Sequence, residues 1–148
     1  MHDNLWDGRA YRLLNVMDDF NRQVLWIEAD TSRPSLRVIR VLEQLEMSRG
    51  LPEMLRVDNG PEFNSHKLEQ WCRMRGVTLA FIEPGTPTQN AYVERLNGSI
   101  RRELLDAYIF YSLAEVRQKA QEWQYDYNHC RPHKALGYRC PVDLHVST

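Results

Sequence analysis

The 148-residue sequence predicts a mixed α/β fold, a sheet flanked by helices. Two observations carry that reading. Two β-prone runs surround a polar turn near the start, which makes a hairpin. Further short strands then alternate with amphipathic helical segments, the pattern of a sheet with parallel as well as antiparallel neighbours. A hydrophobic fraction of 43% and an aromatic fraction of 10% suit one packed core, and the length suits one domain, taken as residues 1–148.

In chain order, Tyr11 to Met17 and Val24 to Ile27 are the hairpin strands, separated by Asp18-Asp19-Phe20-Asn21-Arg22. Ser32-Arg33-Pro34 supplies an N-cap and an early proline for a helix carrying Leu36, Ile39, Leu42 and Leu45. Gly50 and Pro52 close it. Met54 to Val57 is a strand ending at Asp58-Asn59-Gly60, whose Asn-Gly pair favours a tight turn. The next helix turns Leu68, Trp71 and Cys72 inward and stops at Gly76, and Val77 to Ile82 is a strand. Pro84-Gly85-Thr86-Pro87 breaks the chain before a long helical segment from about Thr88 to Asp106. A final helix opens at about residue 112 with the capping box Ser112-Leu113-Ala114-Glu115. Its buried stripe is Val116, Ala120, Trp123 and Tyr127, and the tail is irregular.

Composition narrows the function less. No apolar run approaches the ~20 residues that span a bilayer, and the start lacks the basic and apolar regions of a secretory signal. Cys72, Cys130 and Cys140 form neither a paired framework nor a zinc pattern, which fits reduced thiols in the cytoplasm. The formal charge of −1 does not point to nucleic acid, since DNA affinity rests largely on Lys and Arg neutralising phosphates. Positive charge is local instead, in Arg95, Arg101 and Arg102 and in Arg131, His133, Lys134 and Arg139.

Two carboxylates stand where chemistry would place them. Asp58 ends a buried strand, at the carboxyl edge where α/β sheets bind ligands. It could equally cap its own turn. Glu94 shares a helix face with Asn97, Gly98 and Arg101, beside the apolar stripe Val93, Leu96, Ile100 and Leu104. Glu94 and Arg101 alone would also suit a solvated charged face. The 35 residues between the two acids (positions 59 to 93) hold one helix, one strand and a proline break, enough to return the second helix to Asp58. Two carboxylates meeting there repel unless a cation or proton lies between them. Hard oxygen ligands suit Mg²⁺ or Mn²⁺, and a pair of such ions serves phosphoryl transfer.

Residues Arg56-Val57-Asp58-Asn59-Gly60-Pro61-Glu62-Phe63 and Pro84 to Gly98, around Thr88-Gln89-Asn90-Ala91-Tyr92-Val93-Glu94-Arg95, carry a resemblance. So do Arg101, the Asp18 to Arg22 turn and the closing stretch Tyr127 to Tyr138. Together they resemble the integrase-type core of DDE transposases, especially second-reading-frame transposases of bacterial insertion sequences. The resemblance implies an RNase H-like fold, a mixed sheet flanked by helices. It implies metal-assisted cleavage at transposon ends and transfer of the freed 3′-OH to another DNA phosphodiester. By position, Asp58 and Glu94 would be the second and third catalytic, metal-binding carboxylates, with Mg²⁺ or Mn²⁺ as cofactor. Gln89, Asn97 and Arg101 would face DNA, with Arg131, His133 and Lys134 as backbone contacts. DNA is the implied partner, and synapsis of paired ends implies a homodimer or larger assembly.

In such cores the first Asp lies in a Trp-x-x-Asp-Phe-like segment on a central strand, and by position it falls just upstream of Met1. Met1-His2-Asp3-Asn4-Leu5 corresponds to the segment after it, so most of the first central strand is expected to be missing and the chain alone inactive. Asp3 sits several residues too late to replace it, and Asp18 and Asp19 match the hairpin turn. Losing two buried aliphatics from that strand would remove roughly 3–6 kcal/mol, so folding is expected to be marginal. The other readings are a non-catalytic transposase remnant that binds DNA or pairs with intact copies, and an unrelated RNase H-like nuclease. The Arg131-Pro132-His133 tail and the spacing of the acids count against the last.

Overall fold

Alternation along Ala10–Met17 turns Tyr11 and Leu13 into the core while Arg12 stays outside, so this segment forms a half-buried strand. The structure, a computed structural model, describes residues 1–18, 22–31, 34–57, 63, 65–81, 91–132 and 140–143. The Ser32-Arg33 cap, the Asp58-Asn59-Gly60 turn and the Pro84 to Pro87 break lie outside the described residues. The described elements, in order, are strands β1 (His2–Asn4), β2 (Ala10–Met17) and β3 (Val24–Asp30), helix α1 (Pro34–Arg49), strand β4 (Met54–Val57), helix α2 (His66–Arg75), strand β5 (Thr78–Phe81) and helices α3 (Ala91–Ile100) and α4 (Leu113–His129). A π-helical turn, Arg101–Leu105, continues α3, and a 3₁₀ turn spans Pro141–Asp143. The chain divides into two compact units, Met1–Thr31 with Tyr92–Thr148, and Ser32–Ala91.

The first unit is built on an antiparallel sheet in the order β1-β2-β3. β3 runs three residues past the predicted Ile27 because its acidic end is paired: Arg12 stands opposite Asp30 across the sheet. Register passes from Val16↔Trp26 to Met17↔Val24, so β3 carries one extra residue, Leu25, as a bulge. Leu96, Ile100, Leu104 and Leu105 meet Val116, Ala120, Trp123 and Tyr127 of α4 in one buried cluster with Tyr11, Leu13, Val24 and Ala29. The predicted α4 stripe is thus the buried one, and Ser112 caps that helix by accepting a hydrogen bond from the Glu115 amide. α4 also satisfies backbone groups of β3. Asn128 bonds both the N–H and the carbonyl of Val24, Gln124 donates to the same carbonyl, and Arg117 donates twice to Ala29 O.

The second unit holds the parallel pair β4 and β5, in register Met54↔Thr78 to Val57↔Phe81, with α2 as the crossover between them. Ser65 caps α2 through the Leu68 amide, and Gly76 ends it at φ 74°, a left-handed conformation glycine takes without penalty. Leu68, Trp71 and Cys72 are buried as predicted. In α1 the buried stripe is Val38, Val41, Leu42 and Leu45, whereas Leu36 is 46% exposed. The paired Val41 and Leu42 give that face more apolar volume than the evenly spaced set starting at Leu36, and this fixes the helix rotation. Antiparallel and parallel strands with flanking helices together give the mixed α/β character expected. Among the described residues, no helix is long and apolar enough to cross a membrane.

Candidate functional site

Glu94 lies in the first turn of α3. The buried Leu96, Ile100 and Leu104 seat the helix on the core, and Glu94 projects from the exposed side. Among the described residues its carboxylate has no ion-pair or hydrogen-bond partner. A carboxylate in the first turn of a helix is favoured by the macrodipole, and this one is exposed to solvent. Asp58, the other predicted carboxylate, lies outside the described residues, as do Gln89, His133 and Lys134. Among the described residues, no group of three or more His, Cys, Asp or Glu could hold a metal ion. Glu94 thus presents an exposed carboxylate, the kind of oxygen donor that suits a hard cation such as Mg²⁺ or Mn²⁺.

Asn97, one turn after Glu94, is half-buried and accepts a 2.8 Å hydrogen bond through Oδ1 from Asn15 Nδ2 of β2. Asn15 Oδ1 is itself buried with no hydrogen-bond partner among the described residues. Towards the start of α3, the Arg22 guanidinium lies 3.5 Å from the Tyr92 ring centroid. Arg22 has φ 64°, in the left-handed region that residues with a side chain seldom enter.

Arg101 opens the π-helical turn and reaches β1. Its NH1 donates to Asp3 Oδ2 at 2.7 Å and its NH2 to His2 O at 2.8 Å, with Asp106 at 3.9 Å. Beside this pair the buried Tyr11 phenol is pushed up to about 12, first by burial, then by the Asp3 charge, with Arg101 opposing. Arg131 is engaged in the same way. Both its NH groups grip Glu103, Asp126 stands 3.9 Å away, and its guanidinium lies over the Trp123 and Tyr127 rings. The Arg131 hydrogen bonds hold the Glu103 carboxyl below the usual range against the opposing effect of burial.

Sequence reasoning paired none of these residues. Asn15 is a polar residue within the apolar run Leu13-Leu14-Asn15-Val16, and that interruption was the available signal. Asn128 belongs to the closing stretch that carried the resemblance, but its hold on Val24 spans 104 positions. Glu103 and Asp3 gave no local sign of their partners.

Two sequence profiles described as Integrase core domain match the chain, over residues 1–87 and 75–141. The chain is 44% identical over 142 residues to an uncharacterized 31.7 kDa protein of insertion element IS407 from Burkholderia multivorans. It is 42% identical over 142 residues to an uncharacterized 39.2 kDa protein of insertion element IS476 from Xanthomonas euvesicatoria. Each alignment covers 96% of this chain, but only 51% and 41% of those relatives, so the chain spans about half their length or less. A transposase of insertion sequence element IS904 from Lactococcus lactis is 25% identical over 143 residues, covering 93% of this chain and 55% of that protein. Among solved structures, a chain of the simian T-cell lymphotropic virus intasome superposes with a TM-score of 0.82 at 21% identity, covering 100% of this chain and 52% of that one. The dimeric HTLV-2 integrase catalytic core in complex with magnesium gives 0.75 at 20% identity, covering 99% and 91%. The fold is RNase H-like, as the resemblance implied.

Proposed function

The chain belongs to the integrase core family of bacterial insertion elements, and from that premise we propose that it is the DNA strand-cleavage and strand-transfer core of a transposase. The observation that carries the reading is Glu94, an exposed acid on a helix seated by a buried stripe, within the stretch Thr88 to Gly98 that bears the family pattern. Asp58 and Glu94 would hold Mg²⁺ or Mn²⁺. Bound there, the ion supplies Lewis-acid stabilisation of a phosphodiester and activation of the attacking oxygen. The chain's residues supply position: the core fixes α3, and α3 fixes the carboxylate. Gln89, Asn97 and Arg101 would meet DNA, with His133 and Lys134 on its backbone. Arg131, gripped by Glu103 as Arg101 is by Asp3, would also reach the DNA backbone from the end of α4. Joining two transposon ends calls for at least two copies.

The test is a manganese titration followed by the free-ion paramagnetic resonance signal. Asp58→Asn and Glu94→Gln should each abolish Mn²⁺ binding without changing the thermal midpoint. Mn²⁺ binding that neither substitution weakens would reject the site.

A further inference from the structure

The direction in which the Glu94 carboxylate points depends on the rotation of its helix. A buried stripe alone lets a helix roll by several degrees, because apolar packing is non-directional. Among the described residues α3 itself carries two directional contacts to the β2–β3 segment of the same unit, besides the Arg101 bonds to β1 made from the turn that continues it. Tyr92, two residues before Glu94, receives the Arg22 guanidinium at 3.5 Å. Asn97, three residues after Glu94, accepts from Asn15 at 2.8 Å. Five residues separate the contacts, roughly 7.5 Å along the axis at 1.5 Å per residue. At about 100° per residue they lie roughly 140° apart around it. Two contacts at different heights and azimuths restrict both tilt and roll of the turn that carries Glu94.

The backbone at Arg22 supports a purpose beyond packing. Its φ of 64° is held, with its own N–H donating to Asp18 O at 2.9 Å, where glycine would sit without strain. A strained non-glycine conformation persists where the surroundings over-determine it, and such positions cluster at functional sites.

We propose that Arg22 and Asn15 are positioning residues for Glu94: the β2–β3 segment clamps α3 on both sides of that carboxylate and sets the direction in which it meets its metal ion. The inference rests on Glu94 being a ligand, as proposed above.

The decisive variant is Arg22→Gly in the full chain, because it relieves the backbone while removing the cation. The thermal midpoint should stay level or rise, while Mn²⁺ affinity falls about tenfold, within the range of a cation–π contact. Arg22→Lys, which keeps a cation over the ring, should restore most of that affinity. Tyr92→Phe should be silent and Tyr92→Leu should match Arg22→Gly. Asn15→Leu should lower affinity by a similar factor through the other contact. If Glu94→Gln abolishes Mn²⁺ binding while Arg22→Gly and Tyr92→Leu bind like the parent, the clamp is refuted and the metal site stands. Affinity that falls only in step with the thermal midpoint, with no rescue by Arg22→Lys, also refutes the clamp. If Glu94→Gln leaves Mn²⁺ binding unchanged, the metal reading itself fails and the clamp falls with it.

Discussion

Asn128 completes both backbone hydrogen bonds of Val24: its Oδ1 accepts from the Val24 amide and its Nδ2 donates to the Val24 carbonyl, each at 2.8 Å. The side-chain amide thus does for β3 what a neighbouring strand would do. Both groups are buried, so removal leaves an N–H with no water to replace its partner, while Gln124 still serves the carbonyl. Asn128→Leu should cost about 2–3 kcal/mol, one orphaned buried donor plus a lost bond. Urea unfolding with an unchanged m-value would measure it. A cost below about 0.5 kcal/mol would show that the sheet edge needs no such support.

Arg101 is predicted to meet DNA yet is neutralised by Asp3 at 2.7 Å. Asp3→Asn should free the guanidinium and raise affinity for duplex DNA at low salt. One additional phosphate contact steepens the log–log salt dependence by about 0.9. Fluorescence anisotropy at several salt concentrations checks this, and an unchanged slope would remove Arg101 from the DNA-facing set. The stability cost should be at most about 1 kcal/mol, because both side chains are partly solvated.

Tyr11 links stability to alkaline pH. Its phenol is raised from 10.0 to about 12 in the folded chain. The stabilisation is therefore complete below pH 10 and is lost as pH rises through about 12, where the unfolded chain has already released the proton. The loss should approach roughly 2–3 kcal/mol across that window. Tyr11→Phe should flatten this part of the stability profile, and Asp3→Asn should move the phenol absorbance transition to lower pH.

Glu103 governs the acid side. Arg131 depresses its folded value, so its contribution is present above the ordinary carboxylate range and disappears as pH falls through the folded value. Glu103→Gln should destabilise the chain at neutral pH, and the difference from the parent should close on acidification. Chemical denaturation at a series of pH values reads this directly. A difference that persists in acid would mean that Glu103 acts through shape alone.

The sequence revealed elements better than their partners, and particular residues show why. Ser112, Glu115 and the stripe from Val116 to Tyr127 lie within sixteen residues, so the cap and buried face of α4 follow from local spacing. β4 was legible to the residue because Pro52 and Asp58-Asn59-Gly60 bound it. The same local logic failed at Leu36, where evenly spaced apolar residues competed with a denser valine face. At the candidate site, Glu94 and its buried neighbours could be read from one helix. The contacts Asn15–Asn97, Arg101–Asp3 and Arg131–Glu103 join positions 28 to 98 residues apart, and no local periodicity encodes such pairings. Arg22 was masked in another way, since an arginine in a polar turn gives no sign of a left-handed backbone.

The outer edge of β3 is partly spoken for, and this bears on assembly. Its backbone at Val24 and at Ala29, near either end of the strand, is already bonded by Asn128, Gln124 and Arg117. An exposed strand edge is the usual template on which a second polypeptide adds a strand of its own. With these groups engaged, β-augmentation along β3 would first require α4 to peel away. Oligomers that keep α4 in place would leave this edge unextended.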